Sequence, residues 1–265
     1  MARIIALANN KGGVGKTTTA VSLGAALRNR GYDVLIIDLD GQANATDALN
    51  VPTEGGTTYD TMKRPTTPYV QPARVLAPQG GAGVLDVLPS TSDLSALDTE
   101  LSNQSDRVTR FTSVVGKYRD KYDVIVVDTP PTLGLLTISA LYAADELIVT
   151  VQPQYLAVKG LVQMNDAVST IAGNRGVALD VRVLFTQYDR RKGLHRATVE
   201  QVTGAAGYDP FETKIRENVA LGEAPAVGLD IFRYAPRSYG AQDYNALADE
   251  YLNGRKLRHV KHGYK

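Results

Sequence analysis

The sequence contains no cysteine and no tryptophan, and only four of its 265 residues are phenylalanine. The absence of cysteine excludes disulfides, thiolate metal sites and iron–sulfur clusters, and it is consistent with a reducing compartment. Hydrophobic residues nevertheless make up 43% of the chain, which is enough to fill a sizeable core. A chain of this length suits one large domain or two smaller ones.

The sequence also lacks an apolar run of the roughly 18 residues needed to cross a membrane, and no signal peptide is recognisable. These absences predict a cytoplasmic protein with no membrane partner. The net charge is only +1, which by itself does not predict nucleic-acid binding. The charge is uneven, however, because residues 255–265 carry five Lys or Arg and no acid. We therefore expect a single domain over 1–254 and a basic tail over 255–265, which is either a polyanion contact or a solvated terminus.

Short apolar runs alternate with helix-length periodic segments along the chain. The apolar runs are mostly continuous stretches of Val, Ile and Leu, which is typical of strands buried on both faces. Repeated strand–helix units predict an α/β fold, a doubly wound, mostly parallel sheet flanked by helices. The predicted strands are 4–8, 34–37, 84–88, 124–127, 147–151 and 181–186, and the predicted helices are 17–30, 92–102, 107–119, 134–143, 157–173, 194–206 and 238–252.

The segment between the first predicted strand and the first predicted helix is rich in glycine and reads Lys11-Gly12-Gly13-Val14-Gly15-Lys16-Thr17-Thr18. A strand, a glycine-rich turn and a helix N-terminus are the context of a phosphate-binding loop, whose backbone N–H groups surround the phosphates. In this interpretation Lys16 reaches the β- and γ-phosphates and the Thr17 hydroxyl binds Mg²⁺. A glycine-rich turn followed by a capping threonine is the alternative.

Two of the predicted strands end in acidic residues. The second strand runs into Asp38 and Asp40, whose i, i+2 spacing can direct both carboxylates the same way. The fourth strand ends at Asp128, an arrangement that resembles a Walker B strand. Beside a phosphate loop such carboxylates can bind Mg²⁺ or its waters, and one can orient the attacking water. The alternative is that these acids only begin solvent-exposed loops.

The phosphate loop departs from the standard G-x-x-x-x-G-K-[ST] pattern, because Asn10 replaces the first glycine and Lys11 adds a second lysine. Such a lysine can fold back onto its own nucleotide or cross to a nucleotide held by a second subunit. The loop resembles that of the deviant Walker A family, which reads K-G-G-x-G-K-[ST]. The resemblance implies an ATP-bound homodimer in which Lys11 reaches the partner's phosphates. It also implies that Asp40 positions the attacking water and that Asp38 lies nearer the metal.

ATP hydrolysis would then depend on a small set of residues. The catalytic groups are Lys11, Lys16 and Asp40, and the magnesium ligands or their neighbours are Thr17, Asp38 and Asp128. The remaining loop residues would bind ATP or ADP through their backbone: Gly12, Gly13, Val14, Gly15 and Thr18.

Three segments in the second half of the chain carry further motifs: LFTQYDRR at 184–191, IRENVALGEAP at 215–225 and IFRYAPRSYGA at 231–241. They resemble one branch of the same family, the ParA/Soj partition ATPases, and the resemblance covers about residues 3–252. It implies an ATPase that segregates plasmids or chromosomes, with an ATP-bound dimer on the nucleoid that binds DNA without sequence preference. A ParB-type centromere-binding partner would stimulate hydrolysis and release the DNA.

A basic cluster follows the last predicted strand and consists of Arg190, Arg191, Lys192 and Arg196. Such clusters neutralise DNA phosphates and give sequence-independent affinity, although a solvated helix start is the plain alternative. The resemblance places a DNA contact at Arg191.

The segment at 215–225 lines the adenine in the ParA/Soj branch, which makes Arg216 and Asn218 candidate base contacts. Three residues in the same segment depart from the family pattern: Arg216 replaces its proline, and Glu217 and Ala220 replace two arginines. Glu217 is acidic, and Ala220 stands where the pattern has an arginine that contacts DNA. Part of the expected DNA surface is therefore missing.

Two rival functions are open. A MinD-like membrane ATPase would share the loop but needs a basic amphipathic C-terminal helix, and the apolar stripe at 241–252 is accompanied by acids instead, which favours a core-facing helix. A metabolic P-loop enzyme, such as an ATP-dependent ligase, would need a substrate pocket that the sequence does not reveal. The histidines have no metal-ligand spacing and are predicted to lie on the surface: His195, His259 and His262.

Overall fold

The structure, a computed structural model, describes residues 1–64, 70–75, 83–154, 157–204 and 208–253. The strands within these residues are β1 (Arg3–Ala8), β2 (Val34–Asp38), β3 (Ala73–Arg74), β4 (Leu85–Leu88), β5 (Val124–Asp128), β6 (Glu146–Val151), β7 (Asp180–Phe185) and β8 (Asp209–Pro210). The predicted basic tail at 255–265 lies outside the described residues.

The α-helices of the described residues are α1 (Lys16–Arg28), α2 (Asn44–Ala48), α3 (Thr58–Lys63), α4 (Leu97–Glu100), α5 (Arg110–Gly116), α6 (Leu135–Ala143), α7 (Ala157–Arg175), α8 (Gly193–Gly204), α9 (Val219–Glu223), α10 (Ile231–Tyr234) and α11 (Tyr239–Leu252). Two 3₁₀ helices cover Ser92–Ala96 and Ala224–Val227.

The strands form one sheet in the order β3-β4-β2-β5-β1-β6-β7-β8. Its pairings are parallel except the one between β3 and β4. Because strands are added on both sides of β1, the sheet is doubly wound, which confirms the predicted fold class. The six predicted strands agree with the structure to within one residue at each end. The strands β3 and β8 were missed because each has only two residues and shows no apolar run.

Alternate residues of the central strands enter two separate cores, one on each face of the sheet. In β1, Ile4 and Ala6 pack into the first core, whereas Ile5 and Leu7 pack into the second. This is the period-two alternation of a strand. Helices α5, α6 and α7 cover the first core, and α1 and α11 cover the second. Burial on both faces is the reason for the continuous apolar runs.

The last helix, α11, packs against α1. Tyr244 is only 1% exposed, and its hydroxyl lies 2.9 Å from Oγ1 of Thr19. Leu247 and Tyr251 are also buried. The apolar stripe of this helix therefore faces the core, as the sequence predicted. Among the described residues, none of the helices combines the length and the apolarity required to cross a bilayer.

The helix predictions are correct in position and less accurate in extent. The helix predicted at 92–102 begins as a 3₁₀ helix before α4, and the one predicted at 107–119 is shorter, as α5. Helices α2, α9 and α10 were missed, because four or five residues are too few to show a 3.6-residue period.

Candidate active site

The phosphate loop connects the carboxyl end of β1 to the start of α1. Gly13 and Gly15 have φ angles of +72° and +80°, a left-handed conformation that glycine adopts without strain. Helix α1 begins directly afterwards at Lys16, and in the described structure no side chain caps its N-terminus and no acid lies in its first turn. Its first N–H groups are therefore available to an anion, whose charge the helix dipole also favours.

Lys16 is the buried lysine of the loop. It is 7% exposed, and its Nζ lies 3.4 Å from the carbonyl oxygen of Lys11, on the other side of the loop. Burial lowers the pKa of Lys16, while the carboxylates of Asp128 and Asp40 act in the opposite direction. The ammonium group is thus partly desolvated, and a bound phosphate would replace the contacts with water that it has lost.

Lys11 has a different environment, because its side chain is exposed. Its Nζ lies 2.5 Å from Oε1 of Gln154, in the segment that follows β6. The backbone N–H of Lys11 donates to Oδ1 of Asn9 at 3.1 Å. The loop is therefore anchored at this residue while the ammonium group extends outward from it.

Asp38 and Asp128 occupy paired positions at the carboxyl ends of the neighbouring strands β2 and β5, and both are fully buried. Oδ2 of Asp38 accepts hydrogen bonds from the backbone N–H and the hydroxyl of Thr46 at 2.9 and 2.7 Å. Burial raises the pKa of Asp38 to about 6, although these bonds favour the ionised form. Asp38 is thus a well-anchored carboxylate in a dry site.

Asp128 is anchored far less well. Both of its carboxylate oxygens are buried, and neither has a hydrogen-bond partner in the part of the chain that the structure describes. Burial, together with repulsion from Asp38, raises the pKa of Asp128 to about 8, although Thr17 and Lys16 act in the opposite direction. A buried carboxylate without partners is costly unless a cation accompanies it.

These orphaned oxygens fit a bound Mg²⁺, since Asp38 and Thr17 lie beside them and magnesium prefers oxygen ligands. The described residues contain no group of three or more acidic or histidine side chains arranged to hold a metal by themselves. Nucleotide phosphates and water would therefore supply the remaining ligands, which is the usual situation for magnesium in nucleotide sites.

Asp40 faces the cavity above these acids. Its Oδ1 accepts the N–H of Gln42 at 3.0 Å, and its backbone carbonyl accepts the hydroxyl of Ser90 at 2.7 Å. A cavity of about 380 Å³ is lined by Asp40 together with Lys16 and Thr17. The structure therefore brings the predicted water-positioning residue to the same space as the phosphate loop.

A second cavity, of about 320 Å³, adjoins the phosphate loop at Gly15 and is lined by Arg216 and Asn218. Oδ1 of Asn218 is buried and has no partner among the described residues. The Arg216 guanidinium is already engaged, since its Nη2 lies 2.6 Å from Oδ1 of Asp243 and its Cζ lies 4.1 Å from the ring centroid of Tyr239. Both predicted base contacts thus lie beside the loop, but only Asn218 offers an unpaired polar atom.

The predicted DNA-binding cluster covers the turn between β7 and α8 and the first turn of α8, and two of its members already have acidic partners. The Arg191 side chain, 86% exposed, pairs with Asp189 at 2.9 Å. Lys192 pairs with Glu217 at 3.3 Å. The residue that departs from the family pattern thus lies against the basic cluster and neutralises part of it.

The other two members lie against each other. Nη1 of Arg196 donates to the backbone carbonyl of Arg190 at 2.6 Å. Arg190 is exposed, and no acidic partner is found for its side chain in the described ranges. The four residues therefore do form one exposed group.

The prediction that His195 lies on the surface was wrong. His195 is 6% exposed, and its Nδ1 accepts the N–H of Asp189 at 3.1 Å. It lies on the inner face of α8 with Thr198 and Val202, which are also buried. The i, i+3, i+7 spacing of these three residues was the signal that could have found it. His259 and His262 lie outside the described residues.

Several residues that the sequence analysis did not assign to the site support it. They are polar residues in loops or at strand ends, where no local pattern separates them from other polar residues. Only the two that lie within the motif at 184–191 carried a signal. The set comprises Thr46 and Ser90 beside the acids, Gln154 beside Lys11, and Thr186 and Gln187 beside the phosphate loop.

Comparison with known proteins finds relatives that match nearly the whole chain. A family model described as an AAA domain matches residues 2–181. The chain is 38% identical over 255 residues to the sporulation initiation inhibitor protein Soj of Bacillus subtilis, covering 94% of this chain and 98% of that protein. It is 35% identical over 257 residues to the chromosome partitioning protein ParA of Myxococcus xanthus, covering 94% and 88%.

Among solved structures, cobyrinic acid a,c-diamide synthase from Mycobacterium smegmatis, with a bound ATP analogue and magnesium, superimposes with a TM-score of 0.82. It is 28% identical, and the match covers 99% of this chain and 100% of that one. A similar nucleotide site thus serves enzymes of more than one kind, so function has to be argued from the particular residues.

The doubly wound sheet, the glycine-rich loop and the strand-end carboxylates define a P-loop ATPase that uses ATP and Mg²⁺. Within that class the chain belongs to the ParA/Soj family of partition ATPases, since its identity to these proteins extends over nearly the whole chain.

Proposed function

We propose that this chain is an ATP-driven switch that partitions a plasmid or chromosome in the cytoplasm. In the proposed cycle two copies dimerise on ATP, the dimer binds nucleoid DNA without sequence preference, and a ParB-type partner stimulates hydrolysis and release. The observation that carries the proposal is the contrast between the two loop lysines. Lys16 is buried in its own site, whereas Lys11 is exposed and extends outward.

The hydrolysis step follows from the residues around the cavity of about 380 Å³ that Lys16, Thr17 and Asp40 line. The loop N–H groups and Lys16 bind the phosphates, and the Lys16 ammonium also offsets the charge that develops on the transferred group. Asp40 accepts a hydrogen bond from the attacking water and aligns it. Thr17, Asp38 and Asp128 would hold Mg²⁺, which would offset negative charge on the phosphates when it is bound.

Dimerisation follows from the position of Lys11. Its ammonium group contacts only a neutral amide, Oε1 of Gln154, in the described structure. A lysine held by an uncharged partner exchanges it for a phosphate at little cost, because the new hydrogen bond is charge-assisted. In the proposed dimer that phosphate belongs to the nucleotide of the second copy.

The DNA surface of the proposed dimer includes the basic cluster and a neighbouring groove of about 840 Å³. The groove adds Lys214, whose Nζ donates to the backbone carbonyl of Glu212 at 3.0 Å and has no acidic partner among the residues that the structure describes. Tyr239, 58% exposed, lies at its wall. A groove with unpaired cations suits a phosphate backbone, and its contacts read no base sequence.

The test compares DNA retention with ATP, with ADP and without nucleotide, on two DNA fragments of unrelated sequence. We expect retention only with ATP and equal on both fragments, together with a doubling of the mass by light scattering. Lys11→Ala is expected to remain monomeric with ATP and to lose retention. Lys63→Ala is the matched control, because Lys63 is also an exposed lysine but pairs with Glu100 on a different part of the surface.

Three results would contradict the proposal. One is a normal ATP-dependent dimer in Lys11→Ala, which would remove the role of that lysine across the subunits. Another is equal DNA retention with ADP and ATP. The third is ATP-dependent binding to anionic liposomes in place of DNA, which would favour the MinD-like alternative.

A further inference from the structure

Two side chains at the end of β7 donate hydrogen bonds to the phosphate loop from outside. Oγ1 of Thr186 donates to the carbonyl of Val14 at 2.8 Å, and Nε2 of Gln187 donates to the carbonyl of Gly13 at 2.6 Å. These carbonyls belong to consecutive peptide units in the tightest part of the loop. Two adjacent carbonyls are thus fixed toward β7.

Fixing these carbonyls also fixes the N–H groups on the opposite side of the same peptide units. The peptide bonds are trans, and in a trans peptide the C=O and N–H bonds point in opposite directions. The N–H groups of Val14 and Gly15 are therefore directed away from β7, and neither finds an acceptor within the described residues. Glycines with positive φ on either side of Val14 give the loop the concave shape that binds anions.

Gln187 is itself held in place. Its φ angle is +50°, an uncommon conformation for a residue other than glycine. Its Oε1 accepts a hydrogen bond from Nε2 of Gln152 at 2.8 Å, at the end of the adjacent strand β6. With both ends of its amide engaged, Gln187 has one orientation in which it donates to Gly13. A backbone conformation of this kind persists only where the surrounding contacts hold it in place. Residues held in this way are common at functional sites.

We infer that Thr186 and Gln187, with Gln152 behind them, are positioning residues that aim the Val14 and Gly15 N–H groups at the nucleotide phosphates. This inference rests on nucleotide binding by the loop, but not on the dimer or on DNA. Because these hydrogen bonds lie within the chain, they hold the loop in one orientation without help from the nucleotide. The contacts are equal in the ground state and the transition state, because the N–H groups bind phosphate in both.

The test separates KM from kcat in Thr186→Val and Gln187→Leu, which remove the donors and keep the approximate size. We expect the KM for ATP and the Kd for ADP to rise about fivefold in each variant, with kcat at saturating ATP within twofold of wild type. Thr186→Ser retains the hydroxyl and is expected to restore wild-type affinity. Gln152→Leu combined with Gln187→Leu is expected to be no worse than Gln187→Leu alone, because both act through one hydrogen-bond chain.

The melting temperature without nucleotide controls for damage to the fold. Should Thr186→Val fold poorly, the two glutamine variants give the same readout at partly exposed positions. An unchanged KM and Kd, or a fall in kcat larger than the rise in KM, overturns the inference and leaves the proposed function intact. A wild-type protein that binds neither ATP nor ADP would overturn both.

Discussion

The phosphate end of the protein comprises the loop at 11–18 together with Asp38, Asp40 and Asp128. It differs from the basic cluster in the burial and in the pairing of its ionisable side chains. At the phosphate end, Lys16 is 7% exposed and Asp128 is fully buried, and the two oxygens of Asp128 have no partner in the described chain. In the basic cluster, Arg191 is almost fully exposed and is already paired with Asp189. One region holds ionisable groups that lack partners in a dry site, and the other holds cations in water, two of which are already paired with acids.

The two environments differ in the free-energy cost of the ionisable groups when no anion is bound, and we therefore expect them to bind anions differently. The buried charges are costly in the empty protein and are relieved when nucleotide and metal arrive, so binding there is strong and specific. The exposed pairs cost little to form or break. In the proposed contact with DNA, an incoming phosphate would replace an acid that is already present, so we expect binding there to be weaker and to fall with added salt.

Removing the buried lysine is expected to have the largest effect. Lys16→Ala deletes charge-assisted hydrogen bonds to the phosphates in a desolvated site, which are worth about 1.5–3 kcal/mol each. We expect ATP affinity to fall by about 100-fold or more, measured by titration with a fluorescent nucleotide. Lys63→Ala removes an exposed, paired lysine and is the control. Unchanged ATP affinity in Lys16→Ala would contradict the assignment of the loop.

Asp40→Ala separates two properties of the phosphate end, the affinity for nucleotide and the rate of hydrolysis. Asp40 lines the cavity but is not expected to bind the nucleotide itself, so we expect kcat to fall by on the order of 100-fold with little change in Kd. Asp47→Ala is the matched control, because Asp47 is an exposed acid on the adjacent helix α2. Wild-type turnover in Asp40→Ala would rule out its role in positioning water.

Asp128→Asn tests whether Asp128 lowers the stability of the nucleotide-free protein while it is required for hydrolysis. The change removes a carboxyl that must either take up a proton or carry a buried charge beside Asp38, so we expect the nucleotide-free protein to gain about 1–3 kcal/mol in its free energy of unfolding while Mg²⁺-dependent hydrolysis is lost. Urea unfolding and a phosphate-release assay measure the two effects. Asp123→Asn, just before the same strand, is the control. Oδ2 of Asp123 accepts the N–H of Asp33 at 2.8 Å, so no gain in stability is expected there.

The gain in the free energy of unfolding expected for Asp128→Asn should increase as the pH rises. Because burial raises the pKa of Asp128 to about 8 in the folded state, the wild-type carboxyl is neutral at low pH and contributes stability that is lost as pH rises through that value. The advantage of Asp128→Asn should therefore be largest above pH 8 and smallest near pH 4. A constant difference across this range would show that the charge of Asp128 is not what limits stability.

The sequence predicted the phosphate end better than its surroundings, for a physical reason. Strands β1, β2 and β5 are buried on both faces and end in the motifs themselves, so an apolar run followed by glycine or aspartate located both the fold and the site. The supporting contacts of Thr46 and Ser90 could not be predicted. Ser90 bonds to Thr46 across 44 positions and Thr46 bonds to Asp38 across eight, and neither residue lies in a recognisable pattern.

The sequence predicted the basic cluster less completely than the phosphate end. Sequence located its cations correctly but not their partners, because Glu217 reaches Lys192 only through the folded arrangement of β7 and α9. The burial of His195 was missed for a related reason, since a metal-ligand spacing was sought and a helical spacing was present. A count of Lys and Arg along the sequence therefore overestimates the unpaired positive charge at this surface.

Glu217→Gln is expected to have the smallest effect and an unusual sign. Removing the acid frees Lys192 from its ion pair of 3.3 Å, and it lowers the negative charge near the groove. We expect the affinity of the ATP-bound protein for DNA to rise about two- to threefold at low salt, with a steeper salt dependence because one more cation can neutralise a phosphate. The measurement is a titration of labelled DNA at several salt concentrations.

Arg191→Ala provides the comparison in the other direction and should weaken binding to all sequences alike. Since its loss also frees Asp189, the surface loses a cation and gains an unpaired acid, so a decrease of about three- to fivefold is expected. If Glu217→Gln instead leaves DNA affinity and its salt slope unchanged, Lys192 does not face DNA and the paired cluster is only a solvated helix start. If Glu217→Gln strengthens binding to one sequence only, the surface reads bases, and the idea of a purely electrostatic contact fails.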